Sequence, residues 1–126
     1  TLIFVIYAII HEIYGNNKTE AILDRGGLIG MNSAPAFISE HVEERDCEHL
    51  VNHVKWIKDF RGNVDGIACG FDFMDFYDEY HGYCKGLKDC TQAQNFVKEL
   101  ELHKFKKEEI QAIAYENSVA YFNRYL

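Results

Sequence analysis

The chain has 126 residues with 20 acidic and 13 basic side chains, which gives a formal net charge of −7 at neutral pH. This excess of acids argues against a surface that binds nucleic acid or an anionic membrane. The length suits a single domain over residues 1–126, and a hydrophobic content of 48% is enough to form a core.

The first predicted element is a strand over Leu2–Ile10, whose residues are nearly all apolar and often β-branched. The run is too short to span a bilayer as a helix. It also lacks the basic start and the small-residue cleavage site of a secretory leader. The four cysteines form no C-x-x-C pair, so we expect reduced thiols rather than a disulfide scaffold. Together these features predict a cytoplasmic protein without a membrane partner.

A short helix and a second strand follow. Thr19 is expected to cap a helix over Glu20–Arg25, because threonine is a favoured N-cap residue. Gly26 is expected to end that helix, since glycine readily adopts the left-handed conformation found after helices. The apolar run Gly27–Asn32 then predicts the second strand.

The clearest predicted helix covers Glu40–Phe60. Acids crowd its start and bases lie near its end, which suits the helix dipole, and Gly62 is expected to terminate it. Its apolar residues recur at the three-four spacing of one buried stripe. They are Cys47, Leu50, Val51, Val54 and Ile57.

A third strand over Val64–Gly70 and two helices over Ala93–His103 and Lys106–Tyr125 complete the pattern. Alternation of strands with helices predicts an α/β fold of parallel strands joined by right-handed crossover helices. Three such strands, each apolar throughout, need cover on both faces and further neighbours. The pattern is typical of part of a (β/α)8 barrel, which takes about 250 residues when complete.

The loop after the third strand carries most of the candidate chemistry. Residues just past the carboxyl end of a buried parallel strand are where α/β enzymes place catalytic and metal-binding groups. Asp72 occupies that position directly. Four further polar residues of the loop are equally consistent with a solvated surface. They are Asp75, Asp78, Glu79 and His81.

Two other candidates arise from spacing and residue type. His49 and His53 lie four apart on the long helix, a spacing that can bind zinc. No third ligand is placed beside them, so we interpret them as partly buried helix histidines. Cys69 lies within the third strand without an evident histidine partner, which favours packing over nucleophilic catalysis.

Four stretches of the sequence, taken in order, resemble the C-terminal portion of the renal or membrane dipeptidase family. They are Gly26–Asn32 with Pro35–Ser39, His53–Ile57, Gly66–Phe73 with its G-x-D-F motif, and Gly86–Asp89 together with Glu108–Ile110 and Asn117. The resemblance implies that the chain forms the C-terminal three β/α units of a TIM (β/α)8 barrel. An incomplete barrel is therefore expected.

The resemblance also implies an activity, a cofactor and a catalytic residue. Members of this family are zinc-dependent hydrolases of dipeptides, with two metal ions at the carboxyl mouth of the barrel. Two metals polarise the scissile carbonyl and lower the pKa of a bridging water. Asp72 matches the aspartate after the last strand, which orients that water and accepts its proton.

Several positions depart from the family pattern. The family's metal-binding histidine falls at Ile6, which cannot ligate zinc, and His11 lies five residues further along. The substrate-binding arginine falls near Lys18, which keeps the charge but lacks the bidentate fork that grips a carboxylate. The other family ligands belong to strands that are absent from this chain. We therefore expect no tight zinc site in the isolated chain.

Two hypotheses of function follow. In the first, the chain resembles a zinc-dependent membrane dipeptidase, truncated and without most of its metal ligands, so that enzymatic activity of the chain alone is an open question. In the second, it is a non-catalytic fragment or remnant that acts as an association module. An in-frame H-x-D motif encoded upstream of Thr1 would favour the first hypothesis, and a start codon there would favour the second.

Self-association is the expected behaviour of the isolated chain. Three strands leave two open sheet edges, whereas a closed barrel leaves none. Burial of apolar surface stabilises a fold by about 25 cal/mol per Å². If several hundred Å² stay in water, roughly 10 kcal/mol of that stabilisation is lost, which is comparable to the free energy of unfolding of a whole domain. We expect a homo-oligomer or a partly unfolded chain at micromolar concentration. Sedimentation velocity and thermal unfolding measure this, and a compact monomer with a sharp transition would contradict it.

Overall fold

A computed structural model of the chain describes residues 4–7, 15–73 and 82–126. The strands and α-helices within these ranges are β1 (Phe4–Tyr7), α1 (Gly15–Asp24), β2 (Leu28–Met31), α2 (Pro35–Ile38), α3 (Cys47–Arg61), β3 (Ile67–Cys69), α4 (Gln94–Leu102), α5 (Lys107–Gln111) and α6 (Asn117–Tyr125). Short 3-10 turns cover Val42–Glu44 and Cys90–Gln92. A π-helical segment, Ala112–Glu116, joins α5 to α6.

The described strands form one parallel sheet in the order β1-β2-β3. Val5 of β1 lies opposite Ile29 of β2, and Ile29 lies opposite Ile67 of β3. Helix α1 connects β1 to β2, and α2 and α3 connect β2 to β3, as parallel strands require. The predicted parallel sheet, with strands adjacent in chain order, is confirmed.

The core lies between the sheet and α3. All four residues of β2 are buried, as expected of a central parallel strand. The five residues of the predicted helical stripe are buried as well, which confirms that interpretation. They belong to one apolar cluster with Ile29, Met31 and Ile67 on one face of the sheet. The three-four spacing of the stripe therefore fixes how α3 sits on the strands.

Helix α3 begins later than its sequence suggests. We predicted a start at Glu40, but Ser39 is extended and the helix starts after Asp46, so that boundary was wrong. The Asp46 carboxylate accepts a hydrogen bond of 2.9 Å from the His49 N–H, which satisfies a free donor of the first turn. At the other end Gly62 adopts φ +78° and donates to the Lys58 carbonyl, the predicted terminus.

Thr19 does not cap a helix, contrary to the prediction. Helix α1 starts at Gly15, so Thr19 lies inside it and is only 1% exposed. Its hydroxyl has no hydrogen-bond partner among the described residues. The predicted end of α1 is correct, because Gly26 follows it with φ +73°. Leu23 of α1 belongs to the main apolar core, and packing against a core overrides the local preference of a single residue.

The last helical run is tied to the amino end of β3 by Asn117. Its Nδ2 donates to the carbonyls of Val64 and Ile67, each at 2.9 Å. Within the π-helical segment, Ile113 is fully buried and its carbonyl accepts a weak hydrogen bond from the Cys69 thiol at 3.8 Å. The predicted helix over Lys106–Tyr125 thus contacts the β3 region through Ile113 and Asn117.

Replacing Asn117 by alanine is expected to destabilise the fold. The change leaves two backbone carbonyls without their donor, which costs about 2 kcal/mol in the free energy of unfolding. Urea unfolding followed by circular dichroism measures this. Asn123→Ala, an exposed position on the same helix, is the control and should change the free energy by less than about 0.5 kcal/mol. Equal unfolding midpoints for the two variants would contradict the assigned role.

Candidate functional site

The carboxyl ends of β2 and β3 are joined by hydrogen bonds beyond the regular ladder. Gly70 N–H donates to the Met31 carbonyl at 3.1 Å. Further along, the Phe71 carbonyl accepts two hydrogen bonds from Ser33, one from its N–H at 3.0 Å and one from its hydroxyl at 2.8 Å. Ser33 is 4% exposed and its neighbour Asn32 is 3% exposed. Buried polar groups at this edge are therefore paired.

Asp72 lies directly after this paired segment and is exposed. Its backbone has φ +56°, a left-handed conformation that costs a non-glycine residue about 1 kcal/mol or more. Its Oδ2 is 3.5 Å from Nδ2 of Asn32. The Asn32 Oδ1 accepts from the Ala34 N–H at 2.7 Å, so the amide group is held in place. The arrangement presents a carboxylate at the edge with an amide donor beside it.

An aromatic cluster supports Asp72 from its two neighbours in the chain. The Phe71 ring lies 5.3 Å from Phe73 and 5.2 Å from Phe96 of α4, the second contact being edge-to-face. Phe96 is 1% exposed and belongs to the main core. Such aromatic pairs are favoured beyond the area they bury. The segment that carries Asp72 is thereby anchored to the core through its side chains as well as its backbone.

The other predicted site residues are placed as follows. Lys18 lies in the first turn of α1 and is exposed. The first turn of a crossover helix lies at the carboxyl end of its strand, the same edge as Asp72. Ile6, at the family's histidine position, lies within β1 opposite Gly30. Five further candidates lie outside the described residues, namely His11, Asp75, Asp78, Glu79 and His81.

Sequence reasoning missed the roles of Asn32 and Ser33. We had interpreted Asn32 as the end of a strand and Ser33 as the start of a loop. The argument used for Asp72 applies equally to them, because polar residues that directly follow a buried parallel strand share its carboxyl edge. Their contact with Phe71 and Asp72 spans about forty positions of sequence. Only the parallel register of β2 and β3 brings these residues together.

The two helix histidines have separate partners. His49 Nδ1 lies 2.7 Å from the Asp46 carboxylate, and His53 Nε2 lies 2.8 Å from the Ile38 carbonyl. Across residues 4–7, 15–73 and 82–126, no three His, Cys, Asp or Glu side chains form a group that could hold a metal ion. The interpretation of both as partly buried helix histidines agrees with their intermediate exposure.

All four cysteines are free, and three share an unreactive environment. Burial raises the pKa of the Cys47, Cys69 and Cys84 thiols to about 12. Because the thiolate is the nucleophilic form, these groups are poor nucleophiles at neutral pH. Cys90 is exposed at the start of the second 3-10 turn. Cys69, which we interpreted as a packing residue, packs against the main apolar core.

Among the helices that the structure describes, none is long and apolar enough to cross a bilayer.

Comparison with protein families gives a match over most of the chain. A family model described as membrane dipeptidase, peptidase family M19, matches residues 16–124. The matched region runs from α1 to α6 and includes Asn32, Asp72 and Asn117. None of the curated proteins compared with the chain matches it.

The Asp46–His49 pair predicts a pH-dependent contribution to stability. The hydrogen bond to Asp46 raises the pKa of His49. Burial acts to raise the pKa of Asp46, but hydrogen bonds from His49 outweigh it and lower that pKa. The stabilisation is therefore lost as pH rises through the folded-state pKa of His49 and as pH falls through that of Asp46. Its size is below about 1 kcal/mol, since both side chains are about a third exposed.

Asp46→Asn tests the pair, since asparagine retains the helix cap but carries no charge. We expect the pKa of His49, followed by its NMR chemical shifts, to fall toward the ordinary value of about 6.5 in this variant. Asp59→Asn, a similar change at an exposed site of the same helix, should leave the His49 titration unaltered. An identical His49 pKa in the wild type and Asp46→Asn would rule the pair out.

Proposed function

The chain belongs to the membrane dipeptidase family, and we propose that it supplies the C-terminal three β/α units of a (β/α)8 barrel that hydrolyses dipeptides. Three features support the proposal. The strands are parallel and adjacent in chain order, the connections are helical, and the polar residues that follow β2 and β3 meet at one edge. In barrels of this class, that edge carries the active site.

The observation that carries the proposal is the placement of Asp72. An exposed carboxylate that follows the last strand, with an amide donor 3.5 Å away, can orient a water molecule and accept its proton. The Asn32 Nδ2 lies beside this carboxylate as a hydrogen-bond donor. The left-handed backbone at Asp72 is maintained by the bonded Phe71 carbonyl on one side and the Phe73 ring on the other. Asp72 is therefore the proposed proton acceptor.

Zinc is implied by the family, but the described residues do not fit a zinc centre. Zinc in proteins takes about four ligands, of which three or more come from protein side chains. The polar neighbour of Asp72 in the described part of the chain is an amide rather than a second metal-binding group. His49 and His53 are engaged on α3 with Asp46 and Ile38.

A second candidate function is a non-catalytic association module. It is favoured by the sheet topology, because β1 and β3 each pair with β2 on one side only among the described strands. In this case the chain would pair through its sheet edges with other barrel strands, in a second copy or a different chain, without supplying chemistry. The two candidates differ in whether dipeptide hydrolysis depends on Asp72.

Asp72→Asn distinguishes the two functions. The chain is co-expressed with the N-terminal part of a family member, and release of free amino acids from a panel of dipeptides is measured. Loss of a proton acceptor costs typically 10²–10⁴-fold in rate, so we expect Asp72→Asn to lower hydrolysis at least about 100-fold. Asp59→Asn, exposed on α3, should leave the rate unchanged.

The remaining outcomes of that experiment are also decisive. Equal rates for Asp72→Asn and the wild type would overturn the role of Asp72. A stable complex that releases no amino acid from any dipeptide would favour the association module. The folded state of each variant is checked by circular dichroism, so that a loss of rate is not mistaken for a loss of structure.

A further inference from the structure

A cavity lies at the amino ends of β2 and β3, at the edge opposite to Asp72. Its volume is about 240 Å³. The cavity is formed by the Gly26–Gly27 turn before β2, the Asp65–Gly66 turn before β3, and the inner side of α6. A space of this size is smaller than the pockets that hold drug-sized ligands and suits a small metabolite.

Two glycines let the surrounding chain approach closely. Gly26 has φ +73°, and a Cβ there would lie 2.9 Å from Nη1 of Arg124. Gly66 has φ +76°, and a Cβ there would lie 2.9 Å from the Gly27 carbonyl oxygen. Side chains at either position would be strained and would occupy the space beside the cavity. The backbone of both turns can therefore form a close-fitting wall.

Tyr121 supplies a polar group without a partner. Its side chain lies on α6, lines the cavity, and is 4% exposed. Its hydroxyl is buried and makes no hydrogen bond to any residue that the structure describes. Leaving such a group unsatisfied costs about 1–3 kcal/mol, and buried hydroxyls nearly always have a partner. The hydroxyl has almost no accessible surface in the unliganded protein, so a bound molecule would provide a partner after a small shift of the Tyr121 ring toward the cavity.

The cavity also presents one side chain of each charge. Arg124 lines it from α6, and Asp65 lines it from the turn before β3. The Arg124 guanidinium carbon, Cζ, lies 6.0 Å from the centre of the Tyr125 ring. Within the described part of the chain, neither Arg124 nor Asp65 takes part in an ion pair. A ligand with both a negative and a positive group would match this pair.

We propose that this cavity binds a free α-amino acid. The ligand carboxylate accepts hydrogen bonds from the Tyr121 hydroxyl and the Arg124 guanidinium, which is suited to carboxylates. The ligand ammonium group faces the Asp65 carboxylate. This inference does not rest on the proposed function. The cavity lies at the edge opposite to Asp72, and its lining includes none of the residues that surround Asp72.

Calorimetric titration of the full chain with L-alanine tests the proposal. We expect saturable binding that weakens at least about tenfold for L-alaninamide, which lacks the carboxylate, and for N-acetyl-L-alanine, which lacks the ammonium group. Absence of binding up to about 10 mM L-alanine would overturn the proposal. Equal affinity for all three compounds would overturn it as well, since the charged groups would then play no part.

Two variants locate the site. Tyr121→Phe removes only the hydroxyl, so we expect L-alanine to bind about tenfold more weakly while the thermal midpoint of the unliganded protein stays the same or rises. Arg124→Gln is expected to weaken binding similarly and does not alter the buried ring. Tyr115→Phe, at an exposed tyrosine of the same helical run, is the matched control and should bind as the wild type does. Unchanged binding in both Tyr121→Phe and Arg124→Gln would overturn the assignment.

Discussion

The parallel pairing of β2 with a strand on each side is the constraint on which the rest of the structure depends. β2 is buried throughout, so its backbone groups must be satisfied by β1 and β3. Parallel strands cannot be joined by a tight turn, and the chain must return through a helix each time. That return places α3 against the sheet, and it gathers the loops that follow the strands at one edge and those that precede them at the other.

Side chains hold β3 at both of these edges. The strand spans only Ile67–Cys69 and pairs with β2 along one side. At its amino end, Asn117 donates to the Val64 and Ile67 carbonyls, and beyond its carboxyl end Ser33 donates to the Phe71 carbonyl. A strand this short gains little from its own ladder, so these hydrogen bonds help to fix where it begins and ends. Asp72 and the amino-edge cavity are positioned by the same strand.

The elements that the sequence predicts well are those set by periodicity. The buried stripe of α3 follows from the three-four spacing of its apolar residues, and β2 and β3 follow from uninterrupted apolar runs. The sequence defines the start of α3 less well, because several acids before Asp46 suit the first turn of a helix equally well. Asp46 is selected by its hydrogen bond to the His49 N–H and by the extended backbone at Ser39, which are features of three-dimensional structure.

The candidate site was predictable only in part, for a related reason. Asp72 is recognisable because it follows an apolar run directly, and the resemblance of Gly70–Phe73 to a family motif points to the same residue. The neighbours of Asp72 come from the previous strand, so their contribution depends on the register between β2 and β3. The unpartnered hydroxyl of Tyr121 is also invisible in sequence, since tyrosine is as often exposed as buried.

The distribution of the cysteines has a practical consequence for physical studies of the molecule. Three thiols remain protonated under ordinary conditions because of their burial, whereas Cys90 is on the surface. A maleimide dye or nitroxide added at neutral pH will therefore attach at Cys90 while the fold is intact. Since Cys90 begins the 3-10 turn that leads into α4, the probe reports from the start of that helix without any engineered residue. Modification at further cysteines then becomes a measure of how far the chain has opened.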